Sequence, residues 1–149
     1  MKEAIHLLKF GKLRHLAKPL ALLLAGLPFP ESDAVVPVPL HIDGLREREF
    51  NQTALIAKHL AADLHIPLRI DILAKNKTTP LQVRVDRKAH LKNLRGAFSA
   101  NSSVQGLRVL LVDDVMTTGA TVRECAAVQK KAGTAAVNVV VLARSAQKL

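Results

Sequence analysis

Cysteine is nearly missing from this chain. One Cys in 149 residues leaves no internal disulfide to form and removes every Cys-rich zinc site. The six His are scattered, so no zinc site is expected from them either. A reducing, cytoplasmic compartment is the default for such a chain. Trp and Tyr are absent, and only four Phe are present, Phe10, Phe29, Phe50 and Phe98. Proteins that hold single strands by stacking need rings, so recognition is expected to rest on phosphates rather than bases. No apolar run approaches the roughly 18 to 20 residues of a membrane span. Leu20 to Leu27 resembles the core of a short leader, but Lys18 and Pro19 precede it and it begins too far along the chain. Acid is scarce too: 12 Asp and Glu stand against 22 Lys and Arg, a net charge of +10. Such an excess attracts polyanions, whether nucleic acid, anionic surface or phosphorylated small molecule.

What is present reads as globular. An apolar fraction of 49% with 23% charged residues is enough for one domain with its own core. The positive charge is concentrated. Lys75, Lys77, Arg84, Arg87, Lys88, Lys92 and Arg95 meet only Asp86, so this stretch carries +6 of the total +10.

Helical spacing of Ile5, Leu8, Leu13 and Leu16 predicts helix over the first 27 residues, broken in two near Gly11, with Pro19 in the first turn of the second piece. Ala34 to Val38 predicts a buried parallel strand, and Asp43 to Phe50 a charged turn. Asn51 is a good N-cap for a helix to about Leu64. Pro67 to Leu73 predicts a strand, Asp86 to Leu94 a helix, and Leu107 to Val112 the clearest strand. A helix from Thr121 to Lys131, stopped by Gly133, and a strand from Val137 to Leu142 complete the chain. Strands alternating with helices predict an α/β fold built on a parallel sheet.

One segment carries chemistry, Val109 to Thr121. Four apolar residues make a buried strand, and Asp113 and Asp114 stand at its carboxyl end, where open α/β sheets bind ligands. Thr117, Thr118, Gly119, Ala120 and Thr121 then lead into a helix. Exposed N–H groups and the helix dipole there attract phosphate, and glycine lets the backbone come close. The carboxylates suit sugar hydroxyls, directly or through Mg²⁺. An Asp pair or a Thr/Gly turn taken alone also fits a plain helix cap; all thirteen positions in this order do not.

Those thirteen residues resemble the signature of type I phosphoribosyltransferases, which bind phosphoribosyl pyrophosphate (PRPP). Val35-Val36-Pro37-Val38-Pro39-Leu40-His41 and Leu45 to Gln52 are similar to the ComF/GntX competence-protein branch, as are Lys9-Phe10-Gly11, Thr79-Pro80-Leu81-Gln82 and Asn93 to Phe98. The resemblance implies the type I phosphoribosyltransferase fold, a mostly parallel sheet flanked by helices with a small hood. It implies one domain over 1–149, with a helical segment at 1–30 and a mobile basic loop at 75–97. The amino-terminal Cys-rich zinc module common in the family is absent from this sequence, and a short family form, a fragment and a mis-assigned start all fit.

By the same resemblance, Asp113 and Asp114 would hold the ribose hydroxyls with Mg²⁺ close by, and residues 117–121 would cradle the 5′-phosphate. Pro39, Leu40 and His41 would face pyrophosphate, and Lys88, Lys92 and Arg95 would be the loop cations that close over it. Each has a plainer reading. Pro37 and Pro39 also fit a strand exit, His41 a surface residue and the basic stretch a solvated face. Arg46, Arg48 and Asn51 fit either a ligand contact or a pinned turn, and Cys125 reads as a small core residue. Two functions follow as expectations. One is transfer of phosphoribosyl from Mg·PRPP to an unknown acceptor. The other is a non-catalytic adaptor in natural competence that binds single-stranded DNA and a helicase partner. A looser link to carbon-source metabolism stands behind them, and an oligomer is compatible with both.

Overall fold

The computed structural model describes residues 1–11, 13–77 and 92–145. The amino-terminal helix breaks where glycine predicts it. Helix α1 (Lys2–Phe10) ends at Gly11, a 3-10 turn covers Arg14–Leu16, and α2 (Ala17–Ala25) carries Pro19 in its first turn. Proline is tolerated there because the first N–H groups of a helix have no intrahelical acceptor. Strand β1 (Ala34–Pro37) is buried at every residue.

The charged turn expected after it is a helix, α3 (Ile42–Arg48). His41 accepts the Asp43 N–H, Asp43 places an acid in the first turn, and Glu49 closes the helix at φ 65°. These local caps outweigh the loop-like charge pattern. Helix α4 (Gln52–Leu64) begins as expected, with Asn51 Oδ1 accepting the N–H groups of Thr53 and Ala54 at 3.0 and 3.3 Å.

The strand expected over Pro67 to Leu73 contracts to one parallel bridge, Leu68 with Val35, before β2 (Leu73–Lys75). Ile70 is 67% exposed and Asp71 is exposed, so the segment lacks the buried face that would extend the ladder. Strand β3 (Phe98–Ala100) pairs antiparallel with β2. Most of the basic stretch between them, including Lys88, and the first part of the helix expected from Asp86, lie outside the described residues; residues 92–94 are helical.

The chain then makes a β-α-β unit from β4 (Arg108–Met116), α5 (Ala120–Lys131) and β5 (Ala136–Arg144). β4 runs past the expected Val112 because β5 pairs with it in parallel as far as Met116 opposite Arg144. The sheet order is β1-β4-β5, with β4 central and parallel to both neighbours. Alternation along β4 sends Leu110 and Val112 into a core shared with α2 and α4, and Val109 and Leu111 into one shared with α5 and β3. Each such fully buried side chain contributes about 1.5–3 kcal/mol. At the opposite end, Asp33 accepts the Arg108 backbone N–H at 2.8 Å and its guanidinium at 2.7 and 2.9 Å, which ties the starts of β1 and β4 together. The Arg108 hydrogen bonds hold the Asp33 carboxyl down at about 2. With the starts fixed and the strands parallel, the carboxyl ends of β1 and β4 open side by side.

Candidate functional site

At the carboxyl end of β4 the chain leaves the sheet and forms a small, open hollow lined by Asp113 and residues 115–122. Gly119 makes the turn, in the left-handed region at φ 76° and ψ 8°. An added Cβ there would lie 3.3 Å from Met116 Sδ and 3.5 Å from an Arg123 guanidinium nitrogen. Arg123, one turn into α5, donates back to the carbonyls of Thr118 and Gly119. Thr118 Oγ1 accepts the Ala120 N–H at 3.3 Å. The first N–H groups of α5 and the positive end of its dipole thus face a polar, glycine-shaped cup, the geometry that binds an anion.

The two carboxylates are brought to this place but differ in surroundings. Asp113 is half-buried and borders the hollow. Burial and the charge of Asp114 push its carboxyl up to about 7, against the opposing pull of Lys9 and Lys75. Asp114 is only 4% exposed and lies outside that lining. Its Oδ1 accepts the Val115 N–H at 2.6 Å, and its Oδ2 receives Gln52 Nε2 at 2.9 Å and pairs with Lys9 Nζ at 2.8 Å.

Other residues singled out from sequence take these places. Thr117 is exposed, Thr118 and Thr121 are half-buried, Ala120 is buried, and all border the hollow. Pro39 and Leu40 are half-buried at the exit of β1, and the His41 side chain caps α3. Asn51 pins its turn, donating from Nδ2 to the Val38 carbonyl at 3.1 Å while it caps α4. Lys92 and Arg95 are exposed and stand outside the lining, although Gly96 N–H, beside them, donates to Glu124 on α5. Cys125 is fully buried, as its place in the sequence implied. Lys9 and Gln52 were not assigned roles from sequence. Both belong to segments with family resemblance, yet a lysine on an amphipathic helix and a glutamine after an N-cap carry no signal of a contact so distant in the chain.

Mg²⁺ fits this donor set only as a partner of a phosphorylated ligand. Among the described residues, no three His, Cys, Asp or Glu side chains gather as a metal cluster. One or two carboxylates plus substrate phosphates is, however, an ordinary environment for this ion. No helix among the described residues is long and apolar enough to cross a membrane.

Comparison with known proteins shows the family and the fold. The family described as "Phosphoribosyl transferase domain" matches residues 52–149. The DNA utilization protein YhgH of Escherichia coli strain K12 is 34% identical over 97% of this chain and 67% of its own length. Competence protein F of Haemophilus influenzae is 36% identical over 76% of this chain and 51% of its own. The chain therefore spans at most about two thirds of these relatives. Among solved structures, the glutamine PRPP amidotransferase of B. subtilis superposes with a TM-score of 0.61 at 26% identity, over 85% of this chain and 26% of that enzyme. An adenine phosphoribosyltransferase from Thermoanaerobacter pseudethanolicus shares the fold, with a TM-score of 0.54 at 17% identity over 93% of this chain and 71% of its own. The parallel sheet and its flanking helices are thus those of a type I phosphoribosyltransferase, and by its kinship with competence and DNA-utilization proteins the chain belongs to the ComF branch of that family.

Proposed function

We propose that this chain binds PRPP, or another ribose 5-phosphate compound, in the hollow after β4 and transfers its phosphoribosyl group to an acceptor. The observation that carries this reading is the meeting of the left-handed Gly119 turn, the α5 amino terminus and the Asp113 carboxylate in one hollow. Residues 117–121 would anchor the 5′-phosphate and so fix the sugar. Asp113 would accept a ribose hydroxyl and oppose the positive charge that develops on the ring, with Asp114 held directly behind it. The acceptor would attack the anomeric carbon while its bond to pyrophosphate breaks and both electrons leave with pyrophosphate. Pro39, Leu40 and His41 at the exit of β1 and the cations Lys88, Lys92 and Arg95 would receive that growing charge. Mg²⁺ carried in with the ligand would neutralise its phosphates, near Asp113 and Asp114. Calorimetric titration of PRPP with and without Mg²⁺, followed by pyrophosphate release, tests the reading. PRPP that binds no better than ribose under either condition would remove it.

The concentration of charge in residues 75–95 and the names of the relatives favour a second reading. In it the domain acts in the cytoplasm as an adaptor in DNA uptake, binding single-stranded DNA beside a helicase. Tight, salt-sensitive DNA binding without pyrophosphate release would select it.

A further inference from the structure

We propose that Lys9 is the resident cation of the carboxylate pair: by neutralising Asp114 it makes the site take a divalent metal together with a phosphorylated ligand and not as a bare ion. This rests on reading the hollow as a ribose-phosphate site.

The contact is built, not incidental. Lys9 lies in the last turn of α1, a helix separated from β4 by most of the chain, and its Nζ reaches Asp114 Oδ2 at 2.8 Å. The side chains of Lys9 and Asp114 are only 21% and 6% exposed. Both Asp114 oxygens are committed, Oδ1 to the Val115 N–H and Oδ2 to Gln52 and Lys9. Because an ionised carboxylate only accepts, Gln52 must turn its Nε2 toward it. That orientation leaves Gln52 Oε1 buried with no hydrogen-bond partner. A buried orphan acceptor is costly, and the fold carries that cost in order to keep the Gln52 amide N–H on Asp114.

Two adjacent carboxylates, one buried and one half-buried, are unfavourable without a cation, and a divalent ion would compete with a proton for them. Lys9 supplies the missing positive charge from within the fold, and Lys75 adds its field at Asp113. A bare metal then meets one carboxylate, Asp113, not already engaged by an internal cation at contact distance, too few ligands for Mg²⁺. A metal already held by phosphates needs no more than that. Lysine suits the task because its ammonium is a compact point charge.

The test is Mn²⁺ binding followed by electron paramagnetic resonance in the absence of any sugar phosphate, on wild type, Lys9→Met and Lys9→Arg. Loss of one positive charge at contact distance predicts Mn²⁺ affinity at least about tenfold higher in Lys9→Met, with Lys9→Arg close to wild type. Lys9→Gln keeps a hydrogen-bond donor toward Asp114 while dropping the charge, and it gives the same readout where methionine unfolds the chain. A folded Lys9→Met or Lys9→Gln with wild-type Mn²⁺ affinity overturns the proposal. So does a wild type that binds bare Mn²⁺ as tightly as these variants. PRPP titration of wild type runs in parallel. A gain of Mn²⁺ affinity in Lys9→Met with no PRPP binding in wild type would sink the ribose-phosphate reading while leaving the charge assignment of Lys9 in place.

Discussion

Replacing Gly119 separates the shape of the turn from the chemistry around it. The residue sits at φ 76°, and a Cβ would be 3.3 Å from Met116 Sδ and 3.5 Å from Arg123. Both neighbours are ends of flexible side chains, so space alone costs little. The backbone decides the outcome. An L-residue in the left-handed region loses about 1–2 kcal/mol, more when β-branched, whereas Asn tolerates it better than most. For a chain of this size each kcal/mol lowers Tm by roughly 2–4 °C. Gly119→Val is therefore expected to lower Tm by about 2–8 °C, or to relieve the strain by rotating out of the left-handed region. Rotation turns the first N–H groups of α5 away from the cup, a retained turn sets a branched side chain where the ligand must approach the backbone, and in both cases affinity for ribose 5-phosphate should fall at least tenfold, about 1.4 kcal/mol. Gly119→Asn should keep the turn and retain more binding, and Ala120→Ser should change little. Differential scanning calorimetry and isothermal titration on the same proteins give both quantities. Gly119→Val with unchanged Tm and unchanged affinity would show that the left-handed turn does not set the anion site.

The Asp113 carboxyl is raised from 3.8 to about 7, so the folded protein holds a proton that the unfolded chain has lost over that interval. Stability should thus fall by a few kcal/mol as pH climbs from about 4 to 7, while ligand affinity, which needs the carboxylate, rises through the upper part of that range. Asp113→Asn should flatten both profiles, read by urea unfolding and calorimetry at several pH values. Asn51→Ala removes an N-cap and the tie to the Val38 carbonyl. It should cost about 1–2 kcal/mol in urea unfolding and weaken ligand binding by loosening Gln52. Changing Lys88, Lys92 and Arg95 to Gln should flatten the salt dependence of single-stranded DNA binding, whose log–log slope is expected between about −2 and −4 at roughly −0.7 per phosphate. If fluorescence anisotropy shows DNA binding untouched while pyrophosphate release disappears, those cations serve the leaving group.

The turn from β4 into α5 was legible in the sequence because each of its parts is local. A short apolar run, two acids, small hydroxyl residues and one glycine lie within thirteen positions, and their places follow from strand ends and helix starts. Asn51 was legible for the same reason, since an N-cap is decided within three residues. The helix over Ile42–Arg48 was missed because its cap is a histidine ring and its composition is that of a turn. The strand after Pro67 was overcalled because apolar content says nothing of whether a partner strand is within reach. The different surroundings of Asp113 and Asp114 could not be read at all. They depend on Lys9 and Gln52, and only packing of α1 and α4 against β4 brings those side chains to the second carboxylate.

Cys125 has a practical consequence. Its side chain is fully buried, and desolvation, with the nearby Asp113 charge, pushes its thiol well above the usual range. Alkylating reagents act on exposed thiolates, so the native protein offers them no ready target among its side chains. It is already a silent background for site-specific labelling. A cysteine introduced at an exposed position such as Asn93 would carry a fluorophore alone, without any need to remove the natural residue from the core. Motion of that position toward or away from the hollow when a sugar phosphate arrives could then be followed in an otherwise unmodified chain.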